Sequence, residues 1–146
     1  MKKNKLVIVV SNFNSRITEE LLSGALEELN EQLFQKKDIN IIRVPGALEI
    51  PGTINMLLKH QSPRAIIALG AVIKGETAHF EIVSHNSARV IANLSLQSEV
   101  PIINGILTTY DISQALKRSD IKEKNKGVEF ARAALDMISV YEKIKG

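Results

Sequence analysis

The chain alternates short runs of continuous apolar residues with longer stretches in which apolar residues recur every three or four positions. A continuous run is typical of a strand covered on both faces, whereas the spaced pattern is typical of a helix. The runs predict four strands, at about residues 5–10, 39–44, 64–69 and 100–107. The spaced stretches predict five helices, at about residues 17–35, 51–60, 77–97, 112–117 and 126–144.

This alternation predicts a parallel sheet with right-handed crossovers and helices on both faces. We therefore expect an α/β protein, a three-layer α/β/α sandwich around a four-stranded parallel sheet with flavodoxin-like topology. A chain of 146 residues fits one domain, so we assign residues 1–146 to a single domain. Ligands of such sheets bind beyond the carboxyl ends of the strands, so four loops are expected to share one rim: 11–15, 45–50, 70–79 and 108–111.

The composition, with 45% apolar and 24% charged residues, is that of an ordinary folded protein. Cysteine is absent, which excludes disulfides and thiolate chemistry. The five apolar residues at 6–10 are fewer than the roughly 7–15 of a signal peptide, and no apolar run approaches the roughly 18 residues of a membrane span. We therefore expect a cytoplasmic protein that does not bind a membrane.

The chain is basic, with a formal net charge of +3, and five of the ten residues at 117–126 are lysine or arginine. Aromatic residues make up only 4% of the chain and tryptophan is missing, so no platform for base stacking is available. We expect this segment to bind a small phosphate or to remain solvated, and we expect no nucleic-acid partner.

The strongest chemical signal lies at 65–80, Ala-Ile-Ile-Ala-Leu-Gly-Ala-Val-Ile-Lys-Gly-Glu-Thr-Ala-His-Phe. It predicts a buried strand that runs through Gly70 and Gly75, in backbone conformations closed to other residues, into a helix. Amides at the start of a helix bind anions, and His79, about one turn inside, is suited to acid–base catalysis on a phosphorylated substrate. A tight structural connection without any function is the alternative.

Two further residues have both a structural and a functional interpretation, and for two others the structural one is favoured. Phe13 either packs onto the following helix or stacks on a planar heterocycle. Glu49 either favours the start of the second helix or accepts hydrogen bonds from ligand hydroxyls. Arg118 and Glu129 lie where each would complement the dipole of its own helix, a structural role that needs no ligand.

The third predicted helix is apolar around more of its circumference than contact with one sheet requires. One stripe contains Phe80, Val83, Val90, Ile91 and Leu94. Ile82 and Leu96 lie well outside that stripe, so we predict a subunit interface on this helix.

Five segments resemble the lumazine synthase family, and the resemblance covers nearly the whole chain. They are Ser-Asn-Phe-Asn at 11–14, Val-Pro-Gly-Ala-Leu-Glu-Ile-Pro at 44–51, Leu-Gly-Ala-Val-Ile-Lys-Gly-Glu-Thr-Ala-His-Phe at 69–80, Asn-Gly-Ile-Leu-Thr-Thr at 104–109 and Asn-Lys-Gly-Val-Glu at 125–129. The resemblance implies a transferase of riboflavin biosynthesis that makes 6,7-dimethyl-8-ribityllumazine. Its substrates would be 5-amino-6-(D-ribitylamino)uracil and L-3,4-dihydroxy-2-butanone 4-phosphate. Inorganic phosphate and water would be released, and neither a cofactor nor a metal would be needed.

The resemblance also assigns roles to individual residues. The pyrimidine would stack on Phe13, with its ribityl hydroxyls held around Ala47, Leu48, Glu49 and Ile50. The pyrimidine ring would be lined by Ala71, Val72, Ile73 and Asn104. The phosphate would lie on the amides of Gly75, Glu76 and Thr77, with Arg118 reaching it and Lys126 nearby. His79 would relay protons, oriented by Glu129.

Members of this family form pentamers with active sites shared between neighbours, so the resemblance implies a homo-oligomer, with riboflavin synthase as a candidate partner. Only about four residues precede the first predicted strand, which favours a free pentamer or a pair of pentamers over a shell of twelve. Leu48 and Asn104 stand where phenylalanine is frequent in the family, and Lys74 stands where arginine is frequent. These departures bear on ligand affinity more than on activity.

Two other functions fit the same fold. An archaeal-type riboflavin synthase would use two lumazine molecules in place of the phosphorylated ketone. The other is a non-catalytic flavin- or lumazine-binding protein. A flavodoxin-like FMN carrier of this kind would hold a phosphate in the loop after the first strand, which here contains Phe13.

Overall fold

The computed structural model describes residues 4–146, and its strands and helices alternate along the chain as the apolar pattern predicts. The strands are β1 (Leu6–Ser11), β2 (Ile39–Val44), β3 (Ala65–Ile73) and β4 (Ile102–Thr109). The helices are α1 (Ser15–Glu31), α2 (Ile50–His60), α3 (His79–Leu96), α4 (Ile112–Ser119) and α5 (Lys126–Lys145). Short 3₁₀ turns at Lys36–Asp38 and Ala47–Glu49 precede β2 and α2.

The four strands form one parallel sheet in the order β2-β1-β3-β4. Helices α1, α4 and α5 pack on one face of the sheet, and α2 and α3 pack on the other. The predicted three-layer α/β/α sandwich of flavodoxin-like topology is therefore confirmed. This strand order places the carboxyl end of β1 between those of β2 and β3, where a ligand site is expected.

The two central strands are buried on both faces, which explains their continuous apolar runs. Ile8 and Leu69 belong to the core cluster under α1, α4 and α5, whereas Val9 and Ala68 belong to the cluster under α2 and α3. Neighbouring residues of a strand point to opposite faces, so each run supplies both cores at once.

Helix α1 ends at Glu31, several residues before the predicted end near residue 35. The Phe34 amide donates to the Leu29 carbonyl at 2.9 Å, and the Leu33 amide donates to the Asn30 carbonyl at 3.1 Å. This pair of bonds is a Schellman motif, and Leu33 occupies its left-handed position at φ 73°. Glycine usually occupies that position, so the sequence does not indicate where α1 ends.

Strand β3 continues to Ile73, four residues beyond the predicted end, and β4 likewise runs two residues further, to Thr109. Gly70 therefore lies inside the strand, and neither Gly70 nor Gly75 has a positive φ, so the predicted special glycine conformations are wrong. Gly70 is instead a packing residue, because a Cβ there would lie 3.2 Å from the Ser11 hydroxyl.

Helix α3 begins at His79, so this residue is at the first position of the helix and not one turn inside it as predicted. Val83 and Ile91 are buried, whereas Ile82 is 54% exposed and Leu96 is 85% exposed. The predicted subunit interface on α3 stays a prediction. None of the helices within residues 4–146 combines the length and apolarity needed to cross a bilayer.

Helices α1 and α5 approach closely at two glycines. A Cβ at Gly127 would overlap the Leu21 carbonyl oxygen, and a Cβ at Gly24 would lie 2.5 Å from Asn125 Oδ1. This contact fixes the start of α5, where Lys126 and Glu129 lie, against the body of the domain.

Candidate active site

A cleft of about 390 Å³ opens at the carboxyl ends of β1, β2 and β3, and we call it the strand-end cleft. Its lining comes from three of the four loops predicted to share a rim, together with one residue inside α3. The lining residues are Phe13, Asn14, Pro45, Gly46, Ala47, Leu48, Glu49, Ala71, Val72, Ile73, His79 and Val83.

The loop after β1 carries Phe13 across the mouth of this cleft. The Phe13 amide donates to the Pro45 carbonyl at 2.9 Å, which ties the loop to the end of β2. The Asn14 side-chain amide donates to the Ala71 carbonyl at 2.9 Å, which ties the loop to β3. The Phe13 side chain is 70% exposed, so it is not folded onto α1 and its ring is available to a ligand.

The floor of the strand-end cleft is apolar and buried. Ala47, Val72 and Val83 form a small core cluster of their own, and Ala71 is also buried. Leu48 is half-exposed at the edge. A planar apolar ligand would therefore replace water over this floor.

Glu49 is the only carboxylate that lines the cleft among the described residues. A Cβ at Gly46 would lie 3.2 Å from Glu49 Oε1, so the carboxylate passes close over that backbone. The Glu49 carbonyl accepts a hydrogen bond from the Thr53 hydroxyl at 2.8 Å. Ile50, by contrast, is fully buried in the core, so its side chain does not line the cleft.

The connection between β3 and α3 is exposed and leads to His79 at the cleft edge. Within residues 4–146, the amides of Gly75, Glu76 and Thr77 donate no hydrogen bond. The Thr77 hydroxyl accepts from the His79 amide at 3.3 Å. Free amides before a helix are donors suited to an anion.

This connection is also tied to the loop after β4. The Lys74 amide donates to the Thr109 carbonyl at 2.9 Å, and Lys74 Nζ lies 5.7 Å from the centre of the Tyr110 ring. The Phe80 ring lies 6.4 Å from the Tyr110 ring. The predicted rim is therefore continuous, although the loop after β4 does not line the strand-end cleft.

Arg118 and Lys126 lie elsewhere, in an open groove of about 540 Å³ that we call the basic groove. Its lining residues are Ser113, Gln114, Lys117, Arg118, Lys124 and Lys126. Arg118 donates to the Gln114 carbonyl at 3.3 Å, and Lys126 forms an ion pair with Glu129 at 2.8 Å. Within this chain Glu129 therefore contacts Lys126, and its predicted role of orienting His79 stays a prediction.

Asp111 caps α4 and so orders the helix that carries Arg118. Its carboxylate accepts from the Ser113 hydroxyl at 2.6 Å and from the Gln114 amide at 2.9 Å. These hydrogen bonds lower the pKa of Asp111, and the charge of Arg118 acts in the same direction.

Asn104 lies in a third depression of about 390 Å³, between α3 and β4. Its Oδ1 accepts from the Ile106 amide at 3.0 Å. Other lining residues include Phe80, His85 and Tyr110. Asn104 therefore does not lie in the strand-end cleft of its own chain.

The family model of 6,7-dimethyl-8-ribityllumazine synthase matches residues 3–142 of the sequence. This chain belongs to the 6,7-dimethyl-8-ribityllumazine synthase family. A relative of that name from Kosmotoga olearia is 44% identical over 141 residues, covering 97% of this chain and 90% of the relative. A relative of the same name from Leuconostoc mesenteroides is also 44% identical, with the same coverage. The predicted resemblance is confirmed.

Sequence reasoning about this lumazine synthase family member missed several lining residues. Asn14 belongs to the predicted rim loop at 11–15, but no role in the site was predicted for its side chain, which contacts β3. Val83 stands four residues after His79, and this spacing places both residues on the same face of the helix, towards the cleft. The basic groove adds Ser113, Gln114, Lys117 and Lys124, of which the two lysines belong to the charged segment noted above.

The described residues contain no group of three or more histidine or acidic side chains placed to hold a metal ion. His79 lines the strand-end cleft, whereas His85 lines the depression beside β4.

Proposed function

We propose that this chain condenses 5-amino-6-(D-ribitylamino)uracil with L-3,4-dihydroxy-2-butanone 4-phosphate to give 6,7-dimethyl-8-ribityllumazine, phosphate and water. It is an enzyme of riboflavin biosynthesis, a transferase, and membership of the family supports this assignment over the riboflavin synthase and carrier alternatives. The observation that carries the proposal at the level of the site is the strand-end cleft. One cavity unites an exposed ring, a buried apolar floor, one carboxylate and a histidine.

The cleft suits the pyrimidine. Its ring stacks on Phe13 above the floor formed by Ala71 and Val72, with Ile73 at the edge. The ribityl hydroxyls face the turn that contains Leu48 and Glu49, where carboxylate and main-chain oxygens accept their hydrogen bonds. The main chain of the 47–50 segment provides the remaining contacts.

The connection between β3 and α3 suits the phosphate of the second substrate. The free amides of Gly75, Glu76 and Thr77 lie just before α3, where the helix dipole favours a negative charge. His79 follows two residues later, so we place its imidazole beside both substrates.

One chain does not complete this site. Asn104 lines the depression beside β4, and Arg118 and Lys126 line the basic groove, where Lys126 is paired with Glu129. We propose that a second copy supplies these residues to the strand-end cleft, in a homopentamer or a pair of pentamers. The exposed apolar residues of α3 support a contact between copies.

The chemistry needs positioning and proton transfer. The aryl amine attacks the ketone carbonyl, water leaves, and an imine forms. A proton then leaves the carbon next to the imine as phosphate is eliminated from the adjacent carbon, and the resulting enol tautomerises to a ketone. The ribitylamino nitrogen attacks that ketone and closes the ring with loss of a second water. His79 accepts and returns protons in these steps, with Glu129 of a second copy beside its ring.

Mixing the purified protein with both substrates tests the proposal. We expect lumazine absorbance to rise with phosphate release in equal amounts, and no product when either substrate is left out. Riboflavin formed from lumazine alone would support the riboflavin synthase alternative and contradict the proposal. A cytoplasmic location, and riboflavin synthase as the partner that consumes the product, remain parts of the proposal.

A further inference from the structure

Asn14 occupies the position before α1, where an asparagine side chain normally accepts a hydrogen bond from the helix's own amides. Its side chain makes no such bond, and its backbone lies in the left-handed region at φ 59°. Asparagine adopts that conformation more readily than most residues with a side chain. Helix capping therefore does not explain this residue.

The Asn14 side chain instead extends the contacts of β1 with β3. Pairing of the two strands ends at Val10 and Leu69. The Asn14 side-chain amide then donates to the Ala71 carbonyl at 2.9 Å, two residues further along β3. Ala71 lines the strand-end cleft and is only 4% exposed, so this bond is partly shielded from water.

On its other side the same loop is held by main-chain hydrogen bonds. The Asn12 amide donates to the Val44 carbonyl at 2.7 Å, and the Phe13 amide donates to the Pro45 carbonyl at 2.9 Å. Phe13 therefore lies between a main-chain attachment to the end of β2 and a side-chain attachment to β3. Among residues 4–146, one side-chain amide provides the hydrogen bond from this loop to β3.

We infer that Asn14 is a positioning residue that fixes the Phe13 ring over the strand-end cleft and thereby sets affinity for the aromatic substrate. The inference rests on the proposed function, because it requires an aromatic ligand stacked on Phe13. Replacing a residue with a purely structural role would lower stability without changing the KM of one substrate more than that of the other.

The test variant is Asn14→Gly, which keeps the left-handed backbone and removes the amide. Loss of one hydrogen bond should raise KM for 5-amino-6-(D-ribitylamino)uracil about threefold to tenfold. KM for the butanone phosphate should change less than about twofold, because the phosphate contacts lie beyond Ile73. Asn14→Asp keeps the shape but presents an acceptor to the Ala71 carbonyl, so it should raise the pyrimidine KM at least as much.

Asn125→Gly is the matched control. Asn125 also precedes a helix in a left-handed conformation without a side-chain cap bond, at φ 45°. It lies outside the strand-end cleft and fixes the start of α5, so its replacement should leave the pyrimidine KM unchanged even where it raises the butanone phosphate KM. Melting temperatures of all variants separate loss of folding from loss of affinity.

A double-mutant cycle with Phe13→Ala decides whether Asn14 acts through the ring. In the Phe13→Ala background, Asn14→Gly should change the pyrimidine KM by less than about twofold. The inference is wrong if Asn14→Gly raises the pyrimidine KM as much in the Phe13→Ala background as in wild type, or if it raises the KM of both substrates equally. Either result would leave the proposed function standing, provided that the wild-type protein makes lumazine. A wild-type protein that makes no lumazine overturns the proposed function, and the inference falls with it.

Discussion

The strand-end cleft and the basic groove hold their functional side chains in opposite ways. In the cleft, Phe13 is held by hydrogen bonds to β2 and β3, over a floor of buried alanine and valine. In the groove, Arg118 and Lys126 are surface side chains whose bonds stay within one helix each. The cleft is therefore organised within one chain, whereas the groove presents exposed cations on an open surface.

This difference indicates how the two regions work together. Exposed pairs such as Lys126 with Glu129 contribute little to stability, because water screens their charges. The same charges interact strongly with a phosphate once another surface covers them. We therefore expect the groove to act on ligand held mainly by the cleft of a second copy.

Arg118→Ala should have the largest effect. Losing a charged hydrogen bond to phosphate should raise KM for the butanone phosphate about tenfold to a hundredfold, with a much smaller change in the pyrimidine KM. Steady-state kinetics with each substrate varied in turn measures this. Arg118→Lys should recover part of the loss, since a point charge replaces the paired donors. An increase confined to the pyrimidine KM would contradict the assignment.

His79→Ala should have a moderate effect, on kcat. We expect a fall of about tenfold, because holding two substrates together provides most of the acceleration and solvent can relay protons slowly. The measurement is kcat at saturation with both substrates. If His79→Ala raised the butanone phosphate KM more than Arg118→Ala does, the division of roles between the two regions would be wrong.

Tyr110→Leu should have a smaller effect. Its ring faces Lys74 at 5.7 Å and so steadies the connection that carries the free amides. Losing this cation–π contact should raise the butanone phosphate KM about twofold. Tyr110→Phe keeps the ring and serves as the control, with no change expected. Equal effects of the two substitutions would implicate the hydroxyl and refute this explanation.

Asp111→Asn should have the smallest effect, and it should depend on pH. The folded state lowers the pKa of Asp111, so its stabilising contribution is present above about pH 4 and is lost as the pH falls through the lowered pKa. Melting temperatures of wild type and variant should differ slightly at neutral pH and converge in acid. A difference that stays constant from neutral pH to about pH 3 would show that the carboxylate charge is not the cause.

Much of the fold could be predicted because the apolar runs report directly on strands buried on both faces. The end of α1 could not, since a Schellman motif with Leu33 in place of glycine leaves no local signal. The end of β3 was missed for a related reason. Gly70 was expected to lie in a turn, but it lies inside the strand, where the nearby Ser11 hydroxyl leaves little room for a side chain.

The candidate site was predicted unevenly. Segments near strand ends, such as those of Phe13 and Ala71, could be placed together because parallel topology brings strand ends to one edge. The bond from Asn14 to Ala71 could not be foreseen, because it joins residues 57 positions apart through one side chain. The separation of Arg118 from the cleft depends on how α4 and α5 are packed, which periodicity does not specify.

The most direct test of a site completed by two copies is a mixed assembly of Phe13→Ala and Arg118→Ala chains. Each variant alone should have little activity at low substrate concentration. If the cleft of one copy meets the groove of another, random co-assembly in equal amounts should restore kcat/KM to about a quarter of wild type. About one interface in four then pairs the intact cleft of an Arg118→Ala chain with the intact groove of a Phe13→Ala chain. If cleft and groove of the same chain formed the site, activity would not exceed the mean of the two variants, and the account would be contradicted.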